Sequence, residues 1–258
     1  MWFNYLKIAV IEQSFQKLKQ FTADASHELR SPLTVITTVV EVMQSHPERI
    51  HPADVKKLAA LASATEQMTR LLEDLLLLAR TDAASATPVV EWISISLNEV
   101  LEDLIDSLLP QAQAKDITLK SDLRSGVFIK GNLAQLRRLF SNLLENALQY
   151  TPDGGVVTVS IVRRDRFVTI CVEDTGIGIA PEHILLVFDR FFRAEKARSQ
   201  PEAGLGLGLA IAQGLAHRHG GEITVSSRLG VGTCFRVRLP VVSQETLSAT
   251  ERRAQHTR

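Results

Sequence analysis

Two apolar seams separated by a proline-containing break constrain the fold of this chain most strongly. From Phe15 onward, apolar or small residues recur at alternating steps of three and four, a spacing that predicts a bundle-type helix. The members of this first seam are Phe15, Leu18, Thr22, Ala25, Leu29, Pro32, Ile36, Val39 and Met43. The pattern is interrupted near Pro47 and Pro52. It resumes at Val55, Leu58, Ala62, Thr65, Met68, Leu72, Leu75 and Ala79. We therefore predict a helical hairpin.

A single hairpin would leave much of this apolar seam without a partner. Packing it against a second copy of the chain would produce a four-helix bundle, so we expect a homodimer. The hairpin is predicted to occupy residues 15–82. Residues 1–14 are apolar but interrupted by Asn4 and Lys7, and they lack a signal-peptide cleavage site. We expect them to be either the upper turns of a helix or a stub of an upstream sensor or membrane segment.

A second domain is predicted after a small, polar linker at residues 83–91. Its pattern mixes amphipathic helices with alternating apolar strands, which favours an α/β layered domain over residues 92–241. The helices are expected near residues 97–114 and 131–150, and the strands at residues 156–163, 167–173, 222–227 and 233–239. The remaining residues, 242–258, are polar and charged, and we expect a disordered tail.

Composition argues against two classes of partner. Lys and Arg together number 29, as do Asp and Glu, so no large positive field favours nucleic acid or an anionic membrane surface. No run approaches the roughly 18 apolar residues of a membrane span, which predicts a cytoplasmic chain with no membrane contact of its own, tethered only if it is a fragment of a longer sensor. Cys171 and Cys234 both fall in predicted strands and are expected to be reduced, packed thiols.

Four polar side chains share one face of the first predicted helix. Asp24, His27, Glu28 and Ser31 are spaced i, i+3, i+4 and i+7, away from the apolar seam. Such a face is often only a solvated, charged surface. It also sets an imidazole beside a carboxylate that can accept a ring proton, which leaves the other ring nitrogen as a nucleophile. The spacing alone leaves both interpretations open.

The string FTADASHELRSPL, which contains these residues, resembles the phosphoacceptor box of the commonest family of sensor histidine kinases. The resemblance implies that His27 accepts a phosphoryl group and that Glu28 is its acid/base partner. Ser31 stands where the family more often has threonine, at a position tied to dephosphorylation of the partner regulator. Pro32 would bend the helix just after the site, because proline removes a backbone donor.

A second polar stripe follows the helix predicted near residues 131–150. Asn142 and Asn146 lie one turn apart, and amides on such a face can bind Mg²⁺ directly or through its waters, although a solvated face would look the same. The string NLLENALQYTP resembles the asparagine box of the same kinases. By this resemblance Asn146 ligates Mg²⁺, Asn142 supports the phosphates, and Gln149 and Tyr150 contact the nucleotide. Many relatives have lysine where this chain has Gln149, so one charge contact would be missing.

The string VEDTGIGIAPE places Asp174 at the end of a predicted strand, followed by Gly176 and Gly178. Glycines allow backbone to approach a ligand closely, and an aspartate at a strand end can accept a hydrogen bond from an adenine amino group. A tight turn without a ligand would explain the string equally well. It resembles the first glycine box of the family, in which Asp174 would read adenine.

The string AGLGLGLAI opens a helix predicted to run through residue 216. Its members Gly204, Gly206, Leu207 and Gly208 lead into a helix N-terminus, where unpaired N–H groups suit phosphate. The spacing is neither that of a Walker loop nor that of a dinucleotide fingerprint. The string resembles the second glycine box, although Leu205 replaces the threonine or serine often found there.

The segment between the two glycine boxes has the composition of an ATP lid. It begins with Phe188, Phe191 and Phe192, which we expect to anchor it, and then becomes charged and small. Arg190 and Arg193 would reach the phosphates.

The four boxes stand in the family's order over residues 14–241. The resemblance implies an α-helical hairpin forming a dimeric four-helix bundle, followed by an α/β sandwich ATP-binding domain of the Bergerat (GHKL) type. It further implies ATP and Mg²⁺ as cofactors, autophosphorylation of His27, and transfer to an aspartate of a response regulator receiver domain, with phosphatase activity toward that regulator also expected.

Two alternative functions remain for the ATP-binding domain. A hydrolysing ATPase of the same superfamily would carry a glutamate at position 142, where this chain has asparagine; Glu145 projects about 100° away from Asn146 around the helix. An inactive scaffold would fit the changes at Gln149 and Leu205. Three other histidines, His183, His217 and His219, are expected to have structural or capping roles rather than to bind metal.

Overall fold

The computed structural model describes residues 29, 32–46, 48, 50–81, 92–123, 126–194 and 206–242. It separates into two compact units, Met1–Thr87 and Pro88–Arg258. Among the described residues, none of the helices combines the length and apolar character that crossing a membrane requires.

The first unit contains the predicted helical hairpin. Helix α1 covers residues 32–44 and ends where the Ser45 amide and hydroxyl donate to carbonyl oxygens of the last turn. A 3₁₀ turn at Pro52–Asp54 then leads into helix α2, Val55–Thr81. Proline suits the first position of such a turn, because the N–H that it lacks would have no intrahelical partner there. The break at Pro52 is therefore confirmed as part of the hairpin connection, whereas Pro47 lies outside the described residues.

Among the described residues, the hairpin buries members of the second predicted seam but none of the first. The buried side chains are Leu33, Val40, Leu58, Thr65 and Leu72. Thr65 fits among them because its hydroxyl donates to the Leu61 carbonyl oxygen at 2.8 Å. The described members of the first predicted seam are exposed in the single hairpin, and α1 buries Leu33 and Val40 instead; these exposed members are Leu29, Pro32, Ile36, Val39 and Met43. An apolar face of α1 is thus left open.

The second unit is a mixed α/β structure, as predicted. Its elements are β1 (Ile93–Ser96), α3 (Leu97–Ala114), β2 (Thr118–Asp122), β3 (Phe128–Gly131), α4 (Leu133–Tyr150), β4 (Val156–Arg164), β5 (Phe167–Asp174), a 3₁₀ turn (Pro181–His183), α5 (Gly208–Arg218), β6 (Glu222–Arg228) and β7 (Gly232–Pro240). Five strands form one sheet in the order β2-β4-β5-β7-β6, with β2 parallel to β4 and the other neighbours antiparallel. Strands β1 and β3 form a separate antiparallel pair.

The core of this unit lies between the helices and one face of the five-stranded sheet. Alternate residues of β4, β5 and β7 are fully buried, among them Val159, Ile170 and Val237. Helix α4 packs against both α3 and α5 and contributes Phe140 and Leu143 to the same core. Because side chains alternate along a strand, the opposite face of the sheet carries mainly polar residues.

The cysteine prediction is wrong in one respect. Cys171 lies in β5 and Cys234 in β7, as expected for strand residues, but the two form a disulfide rather than separate thiols. Their Cα atoms are 6.5 Å apart, within the range that a disulfide can span. The sequence places them 63 residues apart, and only the pairing of β5 with β7 brings them together.

His219 joins three elements of the second unit. It is 2% exposed and caps α5. The Asn132 amide donates to its Nε2 at 3.3 Å, so Nδ1 carries the proton and donates to the Leu215 carbonyl oxygen at 2.8 Å. The Trp92 ring lies 5.0 Å away. The capping role predicted for His219 is confirmed.

Burial lowers the pKa of His219, and the nearby Arg218 charge acts in the same direction. The unfolded chain therefore binds a proton at this imidazole at a higher pH than the folded protein does. Protonation of the unfolded chain reduces the free energy of unfolding, so the protein is more stable above pH 6.5 and loses this stability as the pH falls.

We predict that the free energy of unfolding of the second unit decreases between pH 7.5 and pH 5.5, and that His219→Gln lacks this component while losing about 1–2 kcal/mol at pH 7.5. Urea unfolding followed by tryptophan fluorescence would measure both effects. His217→Gln is the matched control, because His217 is exposed two residues away and its loss should leave the pH profile unchanged. Identical profiles for wild type and His219→Gln would contradict the prediction.

Candidate nucleotide-binding site

Helix α4 positions two asparagine side chains at one side of the second unit. Its N-terminus is capped by Asn132, whose Oδ1 accepts from the Gln135 amide at 3.0 Å. The stripe formed by Leu139, Leu143 and Ala147 is buried, which fixes the rotation of the helix about its axis. Residues one turn apart share a face, so this rotation also sets the direction of Asn142 and Asn146.

The two asparagines differ in their surroundings. The Asn142 side chain is 7% exposed, and its Nδ2 donates to the Gly208 carbonyl oxygen at 3.0 Å. Asn142 thus ties α4 to the first turn of α5. Asn146 is partly exposed, and within the described part of the chain its amide has no hydrogen-bond partner. Its side-chain oxygen is therefore available to a ligand, and an amide oxygen suits Mg²⁺.

Lys115 stabilises the C-terminal end of α4. Its Nζ donates to the carbonyl oxygens of Leu148 at 3.1 Å and Gln149 at 3.3 Å. A cation at this end satisfies carbonyls without intrahelical partners and interacts favourably with the helix dipole. The last residues of the helix, Gln149 and Tyr150, are held in this way, and both side chains are partly exposed.

Tyr150 connects α4 to the loop after β5. Its carbonyl oxygen accepts from the Ile177 amide at 3.1 Å and lies so close to Gly176 that a Cβ there would clash. Burial raises the pKa of the Tyr150 hydroxyl, although the Arg193 charge opposes this shift. The phenol therefore stays neutral and can donate or accept a hydrogen bond.

Asp174 is a buried carboxylate with one oxygen fixed by the backbone. Its Oδ1 accepts from the amides of Gly176 at 2.8 Å and Thr233 at 3.2 Å. Its Oδ2 accepts no hydrogen bond from the described residues. The side chain is 6% exposed, and burial raises the pKa of the carboxyl despite the two amides. Such a group has an acceptor oxygen available for a donor on a ligand.

Thr233 and the adjacent Gly232 belong to this site, and sequence reasoning missed both. A Cβ at Gly232 would clash with the Asp174 carbonyl oxygen, so only glycine allows β7 to begin so close to Asp174. The signal available was the pair of glycines Gly230 and Gly232 immediately before a predicted strand. A glycine beside a strand marks a close backbone approach.

The loop after Asp174 needs glycine for a second reason. Gly178 has a φ of 68°, in the left-handed region, and a Cβ there would clash with the Arg228 carbonyl oxygen. The Gly230 amide donates to the Ile177 carbonyl oxygen at 2.7 Å. The loop is therefore fastened to the turn between β6 and β7.

The second glycine string lies next to the beginning of α5. Gly206 has a φ of 74° and accepts a hydrogen bond from the Phe191 amide at 3.0 Å. Leu207 is 2% exposed, and Gly208 begins the helix. Gly208 also lies in van der Waals contact with the Asn142 side chain. The structure thus brings the asparagine box and this glycine string together.

The segment between the glycine strings agrees with the expected anchoring at two of three aromatic residues. The Phe188 ring contacts Phe235 with centroids 6.2 Å apart, and the Phe192 ring contacts His183 at 5.4 Å. Phe191 is 60% exposed, so the expectation that it anchors the segment is wrong. Its left-handed backbone, with φ of 62°, differs from that of its neighbours.

The structure describes only some of the remaining predicted site residues. His27, Glu28, Ser31 and Gly204 lie outside the described residues. Arg190 is exposed, and Arg193 lies near enough to Tyr150 for its charge to act on the phenol. Within the described ranges, His, Cys, Asp and Glu side chains form no group of three that could hold a metal.

Glu145 occupies a position unsuited to activating water beside Asn146. Its Oε1 accepts from the Ser141 hydroxyl at 2.5 Å, one turn back along α4. The position that a hydrolysing ATPase would fill with glutamate holds Asn142, whose amide is engaged with Gly208.

Comparison with known proteins identifies both units. The family described as histidine kinase-, DNA gyrase B- and HSP90-like ATPase matches residues 131–243. The His Kinase A (phospho-acceptor) domain matches residues 17–84.

Curated relatives match along most of the chain. The sensor histidine kinase RppB of Synechocystis sp. is 41% identical over 239 residues, which cover 92% of this chain and 52% of RppB. The phosphate regulon sensor protein PhoR of Pseudomonas aeruginosa is 34% identical over 229 residues, covering 87% of this chain and 50% of PhoR. The chain therefore spans about half the length of these relatives.

Solved structures show the same fold. Full-length ShkA, crystallised in complex with AMPPNP, has 25% identity and a TM-score of 0.73, covering 87% of this chain and 46% of ShkA. The mycobacterial sensor histidine kinase MprB has 29% identity and a TM-score of 0.52, covering 58% of this chain and 97% of that structure. Because a phospho-acceptor domain and a histidine kinase-like ATPase domain follow each other in one chain, and sensor kinases match along most of its length, this chain belongs to the sensor histidine kinases of two-component systems.

Proposed function

We propose that this chain is an ATP- and Mg²⁺-dependent histidine kinase that phosphorylates His27 and passes the phosphoryl group to an aspartate of a response regulator receiver domain. The observation that carries the proposal is the Asp174 carboxylate, with Oδ1 held by two amides and Oδ2 available. An adenine amino group is a donor that such an oxygen would accept. The complex of ShkA with AMPPNP supports ATP as the nucleotide.

The remaining predicted residues would divide the nucleotide between them. Gly176 and Gly178 would let the base approach the backbone, and Tyr150 and Gln149 would contact the nucleotide from the end of α4. Asn146 would ligate Mg²⁺, which when bound would neutralise phosphate charge. Asn142 would act indirectly, because its amide holds Gly208 at the start of α5. The phosphates would lie near Gly204, Gly206, Leu207 and Gly208, with Arg190 and Arg193 as cationic contacts.

Transfer to His27 is in-line displacement at the γ-phosphorus. A neutral ring nitrogen attacks phosphorus, the bond from phosphorus to the β,γ-bridging oxygen breaks, and ADP leaves. Glu28 would accept the proton from the other ring nitrogen or orient the ring. Ser31 would take part in a separate reaction, the hydrolysis of the regulator's aspartyl phosphate by water to release inorganic phosphate, which we include in the proposed function.

A hydrolysing ATPase is a weaker proposal for the same domain. Asn142 occupies the position of the water-activating glutamate, and Glu145 is hydrogen-bonded to Ser141. An inactive scaffold would bind nucleotide without forming phosphohistidine, and the first experiment below distinguishes it from a kinase.

The first test concerns His27. Incubation with γ-labelled Mg-ATP should produce acid-labile protein phosphate in the wild type and none in His27→Gln, because the amide lacks a basic ring nitrogen. Glu28→Gln should slow labelling by about 10²–10⁴-fold. His46→Gln is the matched control, since His46 is an exposed histidine of the same hairpin, and it should label normally. Undiminished acid-labile label in His27→Gln would refute the assignment.

The second test concerns Asp174. Asp174→Asn replaces the available Oδ2 with a donor, so ATP affinity should fall by about 10–100-fold in calorimetry. The pKa of Asp174 is raised in the folded state, so the buried carboxyl favours its protonated form. The free energy of unfolding therefore decreases as the pH rises through that pKa and the carboxyl ionises. We therefore expect Asp174→Asn to have a higher free energy of unfolding at pH 7 than the wild type. Lower stability together with unchanged ATP affinity would exclude Asp174 as the adenine acceptor.

The third test concerns the homodimer, which we propose buries the open face of α1. Val39 lies on that face and is 52% exposed in the single hairpin, whereas Glu41 lies on the far side of the helix. Val39→Lys should raise the dimer dissociation constant by about 100-fold or more, because a charge buried without a partner costs several kcal/mol. Glu41→Lys should leave it nearly unchanged. Light scattering across a concentration series would measure both, and a wild-type monomer at micromolar concentration would contradict the proposal.

A further inference from the structure

The disulfide between Cys171 and Cys234 lies on the sheet face that the helices leave uncovered. In the pairing of β5 with β7, Cys171 is opposite Arg236 and Cys234 is opposite Glu173, so the two cysteines are diagonal neighbours. Both point away from the buried residues Val172 and Phe235. These are the chain's two cysteines, so all of its thiol chemistry belongs to this pair.

We propose that Cys171 and Cys234 are a reversible redox site, oxidised and reduced by exchange with low-molecular-weight disulfides and thiols. In the cytoplasmic setting that the sequence predicts, disulfides are typically transient or redox-sensing rather than structural. The inference does not depend on the kinase activity proposed above, because it concerns the two thiols and the stability of the strands that carry them.

The surroundings of the two sulfurs assign them different roles. Cys171 is partly exposed, so an external reagent can reach its sulfur. Cys234 is only 7% exposed, although both cysteines share their sheet face with Glu173 and Arg236. Cys171 is therefore the residue that reacts first with an external reagent, and Cys234 is the resolving thiol.

The exchange is balanced in two steps. The Cys171 thiolate attacks one sulfur of an external disulfide such as oxidised glutathione, which forms a mixed disulfide and expels one glutathione thiolate. Cys234 then loses its proton and attacks the Cys171 sulfur, which closes the internal disulfide and expels the second glutathione thiolate. Two protein thiols are oxidised while one external disulfide is reduced to two thiols, and an excess of dithiol reverses the sequence.

The position of the disulfide connects it to the nucleotide site. The cross-link closes a segment with a sequence separation of 63 residues, and that segment contains Asp174, both glycine strings and α5. Cys234 directly follows Thr233, whose amide donates to Asp174, and Asp174 is three residues after Cys171. Oxidation therefore restrains both sides of this hydrogen bond and removes conformational freedom from the open segment.

The first measurement counts thiols in the full chain. After equilibration with excess oxidised glutathione, alkylation and mass spectrometry should find no free thiol, and after dithiothreitol both should be free. Cys234→Ser should accumulate a mixed disulfide with glutathione at Cys171, whereas Cys171→Ser should react much more slowly at Cys234. Two free thiols persisting in the wild type under oxidising conditions would overturn the proposal.

The second measurement tests the link to Asp174. Hydrogen exchange of peptides containing Gly176 and Thr233 should be slower in the oxidised than in the reduced wild type, and the melting temperature should rise by roughly 10 °C on oxidation. Exchange in the opening turns of α3, outside the cross-linked segment, serves as the internal control. Cys171→Ser should show neither change. Equal exchange and equal melting temperatures in the two redox states of the wild type would refute the role assigned to this pair, whatever the kinase assay shows.

Discussion

The second unit depends on one hydrogen-bonded cluster at the end of its central strand. Asp174 receives the amide of its own loop through Gly176 and that of the neighbouring strand through Thr233. These contacts place the carboxylate where three chain segments meet, because the carbonyl oxygen of Tyr150 reaches the same loop. The cost is a buried acid whose pKa is raised. Perturbed pKa values are common at functional sites, and a hydrogen-bond donor on a ligand would offset the cost of burying this ionised carboxyl.

The two asparagines of α4 have different tasks: Asn142 supports the start of α5, and Asn146 is available to a ligand. Asn142 uses its amide to hold Gly208, whereas Asn146, one turn further on, has an amide without a partner among the described residues. Two identical side chains on one helix face thus have different roles because one faces a neighbouring backbone and the other a partly open surface. His219 and Lys115 stabilise other parts of the same unit through hydrogen bonds to backbone atoms.

The parts predictable from sequence were those determined by local periodicity. Helices α3 and α4 and strands β4 to β7 follow from repeating apolar residues, and family membership follows from four short strings. Strands β1, β2 and β3 have only four or five residues each, too few for alternation to show. The disulfide and the Thr233 contact were missed for another reason. Both depend on which strands are neighbours in the sheet, and this information is absent from any single segment.

Helix α4 also limits how this protein can diverge. One face of the helix carries the buried stripe of Leu139, Leu143 and Ala147, and an adjacent face carries Asn142 and Asn146. Inserting or deleting one residue between Leu139 and Asn146 would rotate the part of the helix that follows by about 100°. The core stripe and the amides would then no longer be in register. Over evolutionary time this segment can therefore accept substitutions but not changes of length.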